Sequence, residues 1–586
     1  MEKIMKTGKE KWIDDLMGAM DIRQKVGQLM VFGFCGTGIT PDVAELITKY
    51  HVGGLRISNR LRCLTIFNDI KPGEQPDECT QRSLIKPSGK NRDYALVKNC
   101  TSATAGEYAG VLNTLRGFAL ERKNGIPLHF TVDQEGNGND DMLFGQRLFP
   151  GPMGLAASGD TDLIYRAALA VGRQVRALGV NMMHSPCLDV NTNPKNPEIA
   201  NRAYSDNPAD VTKYALATLK GLQEMNIIAT GKHFPGRGES EADAHWGLPS
   251  VNLDRDTLLA GHAAPYKALI DAGLPAIMFA HCCYPALGVS DIPAGMSKDL
   301  IHNFLRAELG FEGVITTDNM IMGGILKQYE MSDAVVEVLA AGCNLVLMRD
   351  ESPIRIKIIE KVLDAVKSGR LSENLIDDSV KRILGMRWDM GITENGGIVD
   401  QASADAILRD ETVNKTADEA ARKCALVLRD REKLLPIKPD ENVLLVEQIF
   451  HTHWEANNFY CHPGMLWEAM CTISPNVHSV EISTTPSEEE INRVRARLGE
   501  ADTVVFTNYY NHKSPSNYND FIEEIHRSGK KLILVSNTVY ELTNPPGVPT
   551  VIVAGTPAGR ENLNVIAQIL YGNINATAQS PLKITG

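Results

Sequence analysis

Between residues 28 and 350 the chain alternates short apolar runs with stretches of helical spacing. The runs are 28–34 (QLMVFGF), 52–57 (VGGLRI), 127–132 (PLHFTV) and 180–186 (VNMMHSP). They continue with 226–234 (NIIATGKHF), 275–281 (PAIMFAH), 313–318 (GVITTD) and 343–348 (CNLVLM). Each is short, rich in apolar and β-branched residues, and ends in polar ones, the pattern of a parallel strand buried on both faces. Segments between them, such as 161–179, place apolar residues at helical intervals. Eight strands in β–α alternation predict a TIM-like (β/α)8 barrel over 1–391. Residues 61–105 break the rhythm, being polar with prolines and no period, and read as a loop inserted after the second strand.

A helix over 372–391 closes on Gly391, and 392–404 reads as a Gly-rich polar linker. From 405 to 586 a helix across 405–428 leads into a second β–α series. Its expected strands are 442–450, 502–509, 531–537 and 550–555, with a helix at 487–499 between two of them. This pattern predicts a C-terminal doubly wound αβα sandwich, so the whole chain is of the α/β class.

Composition narrows the function classes. Of 586 residues, 43% are hydrophobic and 23% charged, as in an ordinary globular enzyme, and the net charge of -12 carries no basic run that would seat nucleic acid. No apolar stretch reaches membrane-spanning length, and residues 1–16 lack the apolar core of a signal peptide. The eleven cysteines are scattered, without a Cys-x-x-Cys pair. Scattered thiols point to a reducing compartment, so a cytoplasmic protein is expected, as monomer or homodimer. His451 and His453 do not form a zinc-type spacing with other ligands, Gly136 and Gly138 precede no helix, and neither a metal nor a cofactor is expected.

In a barrel the reactive groups gather where the strands end. The polar residues at those ends are Asp133, Asp189, Asn191, Lys232, His233, His281, Asp318 and Asn319, with Arg202, Asp243 and His245 in the following loops. Carboxylates, imidazoles, Lys and Arg at one mouth suit the recognition of a polyol and acid/base hydrolysis. Within 232–249 (KHFPGRGESEADAHWGLP), Asp243 and His245 flank one residue. That spacing lets a carboxylate hold one imidazole nitrogen and raise the basicity of the other. His281 either grips a substrate or hydrogen-bonds in the barrel wall.

This stretch resembles the signature of family 3 glycoside hydrolases, in their β-N-acetylglucosaminidase branch: Lys-His-Phe-Pro-Gly-x-Gly followed by Asp-x-His. VDQEG (132–136), SPCLDVNTNP (185–194), Arg202-Ala203-Tyr204-Ser205 and TTDNMIMGGI (316–325) follow the same order. The resemblance implies a retaining, exo-acting, cofactor-free enzyme that removes terminal β-linked N-acetylglucosamine. It gives Asp318 as nucleophile, His245 as acid/base and Asp243 as its partner. Asp133, Arg202, Lys232, His233 and His281 would bind the sugar. Muropeptide fragments or chito-oligosaccharides are the implied substrates. Phosphorolysis, a broader β-glucosidase activity and a non-catalytic carbohydrate-binding protein are the rival readings. One departure stands out. Where the family often carries an arginine just beyond Asp-Gln-Glu-Gly, this chain has Asp140 and Asp141, which leaves recognition on that side open.

Overall fold

A computed structural model describes residues 2–58, 103–349, 351, 354–449, 462–510 and 518–582. Of the insertion expected over 61–105, only 103–105 fall among them, and His451 and His453 lie outside them. Eight parallel strands follow one another around the first sheet: β1 (Met30–Cys35), β2 (Gly54–Ser58), β3 (His129–Val132), β4 (Met182–Met183), β5 (Ile228–Phe234), β6 (Ala276–Phe279), β7 (Val314–Thr317) and β8 (Val346–Met348). β1 pairs with β8, and a bridge between Thr316 and Leu345 closes the ring between β7 and β8. All eight apolar runs therefore become barrel strands. Every residue of these strands is buried, which is why they read as continuous rather than alternating apolar runs.

One local irregularity matters for what the mouth can present. Between β5 and β6, Lys232 faces Met278 while Phe234 faces Phe279, so His233 is an extra residue in the register. A bulge breaks the strict alternation of side chains and re-aims them. Phe234 packs edge-on against Tyr266 and Phe279 and lies against Phe304, with ring centroids 5.0–5.5 Å away. That anchor fixes the strand end that carries Lys232 and His233.

The second sheet has six strands in the order β11-β10-β12-β13-β14-β9. These are β9 (Leu426–Asp430), β10 (Val443–Gln448), β11 (Val477–Ile482), β12 (Thr503–Asn508), β13 (Lys531–Ser536) and β14 (Thr550–Val553). Leu445, Val505, Ile533 and Ile552 face helices Met465–Cys471 and Arg560–Leu570, whereas Leu444, Val504, Leu532 and Val551 face Glu488–Arg497 and Asn519–Arg527. The sheet is thus covered on both faces, as a doubly wound sandwich must be.

Three expectations need correction. The helix expected across 405–428 is two helices, Gln401–Ala406 and Glu411–Cys424, and its last residues are the edge strand β9, antiparallel to β14. β11 was not anticipated, because Val477-His-Ser-Val-Glu-Ile is interrupted by the exposed His478 and Glu481 and lacks a long apolar run. The end of the 392–404 stretch is not an open connection. Asp400 caps helix Gln401–Ala406, and Asn113 Nδ2 donates to Val399 O at 2.8 Å.

The second sheet meets the barrel mouth by its strand ends. Asn201 Nδ2 donates to Asn537 O at 3.2 Å, and Tyr510, just beyond β12, donates to Pro197 O. Loop packing at the mouth is close. A Cβ on Gly238 would lie 1.8 Å from Val190 O and 3.0 Å from the Asn191 Cα, so the loop after β5 can rest on the loop after β4 only with glycine there. Gly238→Ala is therefore expected to destabilise the fold by about 1–3 kcal/mol, the usual cost of forced overpacking. Urea unfolding followed by tryptophan fluorescence would measure it, and an unchanged midpoint would show that the two loops can separate freely.

Candidate active site

The predicted residues converge on one mouth, and buried ion pairs connect them. Asp133, one residue past β3, accepts from Lys232 Nζ at 3.0 Å, is paired with Arg56 Nη2 and lies 3.2 Å from His184 Nδ1. Burial alone would raise its pKa, but Lys232 and Arg56 hold it well below the usual carboxylate range. Lys232 also donates to Glu135, and burial that would lower its pKa is outweighed by the two carboxylates. Arg202 grips Glu135 with two nitrogens, Nε at 2.8 Å and Nη2 at 3.1 Å. Glu135, though buried, is held at about 2 by Arg202 and Lys232.

His233 is buried and sits among cations. Burial, then Arg237, Arg202 and Lys232, push its pKa well below the ordinary histidine value, so the ring is neutral. Nδ1–H donates to Asp189 Oδ2 at 2.7 Å. That fixes the tautomer and leaves Nε2 as the acceptor, 3.4 Å from Arg202 Nη2 and 3.8 Å from Asp318 Oδ2. Asp318 itself follows β7. Its Oδ1 accepts from Asn319 N at 2.7 Å, and its Oδ2 lies 3.5 Å from Arg237 Nη2. His281, at the end of β6, is buried and uses Nε2 on Asn319 O at 3.2 Å, a wall hydrogen bond that also steadies the turn after Asp318.

The Asp-x-His spacing makes the dyad it predicts. Asp243 Oδ1 accepts from His245 Nδ1 and from the His245 backbone N–H, each at 2.7 Å. A second carboxylate, Glu198, lies 3.3 Å from the same Nδ1. Burial would lower the His245 pKa, but Asp243 and Glu198 raise it to about 9. The dyad loop is tied to the loop carrying Asp318, since Gly323 N donates to His245 O and Gly324 N to Ala244 O, both at 2.9 Å. A Cβ on Gly323 would lie 2.5 Å from His245 O, so glycine permits this approach.

Five residues in this network, Arg56, Glu135, His184, Glu198 and Arg237, escaped the sequence reading. Arg56 was visible as a charge inside an apolar strand, an arrangement that requires a buried partner. It occupies the side left open by the missing arginine: Nη2 reaches both Asp133 and, at 2.8 Å, Asp141. Asp140 and Asp141 serve the backbone, accepting from Gly136 N at 3.0 Å and Asp133 N at 2.7 Å. Arg237 lay within the Lys-His-Phe-Pro-Gly-x-Gly loop, and Glu135 directly after Asp-Gln. Glu198 had no local signal, because it comes from an irregular loop and acts through distant partners. Among the described residues two trios each bring their donor atoms within 4.8 Å of one another: Cys187, Asp189 and His233, and Glu198, Asp243 and His245. Neither donor set suits a cation. Burial pushes the Cys187 thiol up, away from thiolate, and Arg237 already holds Glu198 at 2.8 Å.

The raised His245 pKa has a consequence for stability. Folding lifts it from an unfolded value of about 6.5 to about 9, so the folded state binds the proton more tightly. The stabilisation is fully present below pH ~6.5 and is lost as pH rises through the folded value. Urea unfolding of the wild type and His245→Gln should show a stability gap that shrinks between pH 6 and pH 10. A constant gap would mean that His245 is not held protonated by its neighbours.

Comparison with known proteins agrees with this architecture. Residues 21–386 match the glycosyl hydrolase family 3 N terminal domain. A beta-hexosaminidase A from Pseudoalteromonas piscicida is 34% identical over 299 residues, 47% of this chain and 50% of that protein. A beta-N-acetylglucosaminidase/beta-glucosidase from Cellulomonas fimi is 29% identical over 344 residues, 57% of this chain and 59% of that protein. The matched region thus spans about half to three-fifths of these relatives. A family 3 beta-N-acetylglucosaminidase from Paenibacillus sp. str. FPU-7 superposes with a TM-score of 0.81 at 28% identity, over 97% of this chain and 99% of the other. Because that match covers more than half of its 586 residues, the chain belongs to glycosyl hydrolase family 3.

Proposed function

We propose that this chain is a retaining, exo-acting β-N-acetylglucosaminidase. The observation that carries the reading is the Asp243–His245 dyad, backbone-tied through Gly323 and Gly324 to the loop that bears Asp318. In the first step an Asp318 oxygen attacks the anomeric carbon and the glycosidic C–O bond breaks. His245, protonated at neutral pH, gives the Nε2 proton to the leaving oxygen, while Nδ1 stays on Asp243. In the second step His245 takes a proton from water, the water oxygen attacks the anomeric carbon and Asp318 leaves as a carboxylate. Asp133, Lys232, Arg202 and His233 present charged donors and acceptors that suit sugar hydroxyls. The names of the Pseudoalteromonas and Paenibacillus relatives favour N-acetylglucosamine. Muropeptide fragments or chito-oligosaccharides are the substrates this reading implies. Among the described residues Cys187, Cys282, Cys283, Cys343 and Cys424 are buried free thiols, which suits a cytoplasmic site of action.

A second reading replaces water with phosphate. A neutral imidazole base repels phosphate less than a carboxylate would, and Arg237 adds positive charge 3.5 Å from Asp318. One panel tests both. Aryl N-acetyl-β-glucosaminide should be cleaved at least ten times faster than aryl β-glucoside, releasing free sugar whether or not phosphate is present. Equal or reversed rates would overturn the sugar assignment, and a sugar 1-phosphate product would replace hydrolysis by phosphorolysis.

A further inference from the structure

A histidine that serves as acid and then as base meets a difficulty when its pKa lies well above neutrality. After giving its proton to the leaving oxygen, an imidazole of such high pKa would take another from solvent and could then accept none from water, so its pKa must fall once the glycosyl-enzyme has formed. Three contacts lie between His245 and Asp318. His245 Nδ1 is 3.3 Å from Glu198 Oε1, Glu198 Oε1 is 2.8 Å from Arg237 Nη2, and the same Nη2 is 3.5 Å from Asp318 Oδ2. Glu198 and Arg237 are both buried, so water screens their interaction little. The Glu198 carboxylate is oriented from its other side by the Ala244 backbone N–H, which donates to Oε2 at 3.0 Å.

We propose that Glu198 and Arg237 are positioning residues forming a charge relay, through which the charge on Asp318 sets whether His245 holds its proton. The inference rests on the reading of Asp318 as nucleophile and His245 as acid/base. In the free enzyme Asp318 is a carboxylate and shares Arg237 with Glu198. Glu198 then has negative charge to spare for His245, which stays protonated and ready to act as acid. When Asp318 becomes a glycosyl ester it loses its charge. Arg237 is left with Glu198 as its closest carboxylate and neutralises it more completely. The support for a second proton on His245 weakens, and the ring, having given its proton to the leaving oxygen, remains neutral to act as base. Hydrolysis restores the Asp318 carboxylate and resets the relay.

Among the described residues, other charged groups lie near the dyad, and none duplicates this coupling. Asp243 shares the loop of His245 and holds its Nδ1 directly at 2.7 Å rather than through Arg237. Arg202 Nη1 reaches Glu198 at 4.0 Å but is committed to Glu135. Tyr510 comes from beyond β12; burial, then Asp243 and Glu198, push its pKa up, so it stays neutral. Lys327, from the segment after β7, lies near Gly247 rather than beside Glu198.

The relay predicts shifts of opposite sign, which a purely structural role would not produce. In the full chain with side-chain-labelled histidine, an NMR titration of His245 should move down by about one pH unit in Glu198→Gln and up by a similar amount in Arg237→Gln. Asp318→Asn, which removes the same charge as the ester, should lower the wild-type titration. On a Glu198→Gln background it should do so by less than half as much. Should Glu198→Gln fail to fold, Asp318→Asn on the Arg237→Gln background makes the same comparison. Shifts of the same sign, or an Asp318→Asn shift undiminished on either background, would overturn the relay. The alkaline limb of kcat/KM should follow the titration in Glu198→Gln. If the titration moves and the limb does not, the relay stands and the acid/base reading of His245 falls.

Discussion

A line of alternating buried charge across the barrel mouth is the interaction on which the rest of the site depends. Arg56, Asp133, Lys232, Glu135 and Arg202 pair in succession, and Glu198, Arg237 and Asp318 form a second series that leads away from His245. Each charge has been taken out of water and is tolerable only because its neighbours compensate it. Removing a single partner leaves a buried charge exposed to apolar surroundings, at a cost of roughly 3–5 kcal/mol. The barrel supplies the rigidity this requires. The residues come from the ends of different strands, and strands buried on both faces hold those ends in fixed positions. The lattice orders the carboxylates by role: Asp133 and Glu135 are held ionised by cations, Asp189 fixes the tautomer of His233, and Asp243 keeps His245 charged.

The second sheet bears on the site through the ends of its two central strands. Asn537 and Tyr510, at the ends of β13 and β12, touch the loop that carries Glu198 and Arg202. In a doubly wound sheet the strand ends on either side of a reversal in strand order open a crevice, and β10 and β12 flank such a reversal here. Helix Glu411–Cys424 packs on the barrel helix Thr161–Ala177 and also on Arg560–Leu570, so the two sheets share a packed join.

Much of this was legible in the chain itself. The barrel strands announced themselves because burial on both faces demands continuous apolar runs. The dyad was visible because a carboxylate and an imidazole two residues apart can meet without help from the rest of the fold. What stayed hidden was long-range or irregular. Glu198 reaches His245 across 47 positions of sequence from a loop with no periodicity. β9 and β11 carry partly exposed, polar-interrupted patterns, and an edge strand need not be apolar on both faces. The aspartates at 140 and 141 looked like a lost sugar contact; in the fold they brace the Asp133 loop, while Arg56 arrives from a different strand.

The account stands or falls on a covalent bond to one residue. A 2-deoxy-2-fluoro-glycosyl fluoride, which forms a glycosyl-enzyme faster than it is released, should trap that intermediate on the full chain. Proteolysis and mass spectrometry would then locate the sugar. The account predicts a mass increase of one fluorosugar on the peptide containing Asp318 and its absence in Asp318→Ala. Modification of Asp133 or Glu135, or inverted product stereochemistry with no label at all, would contradict it.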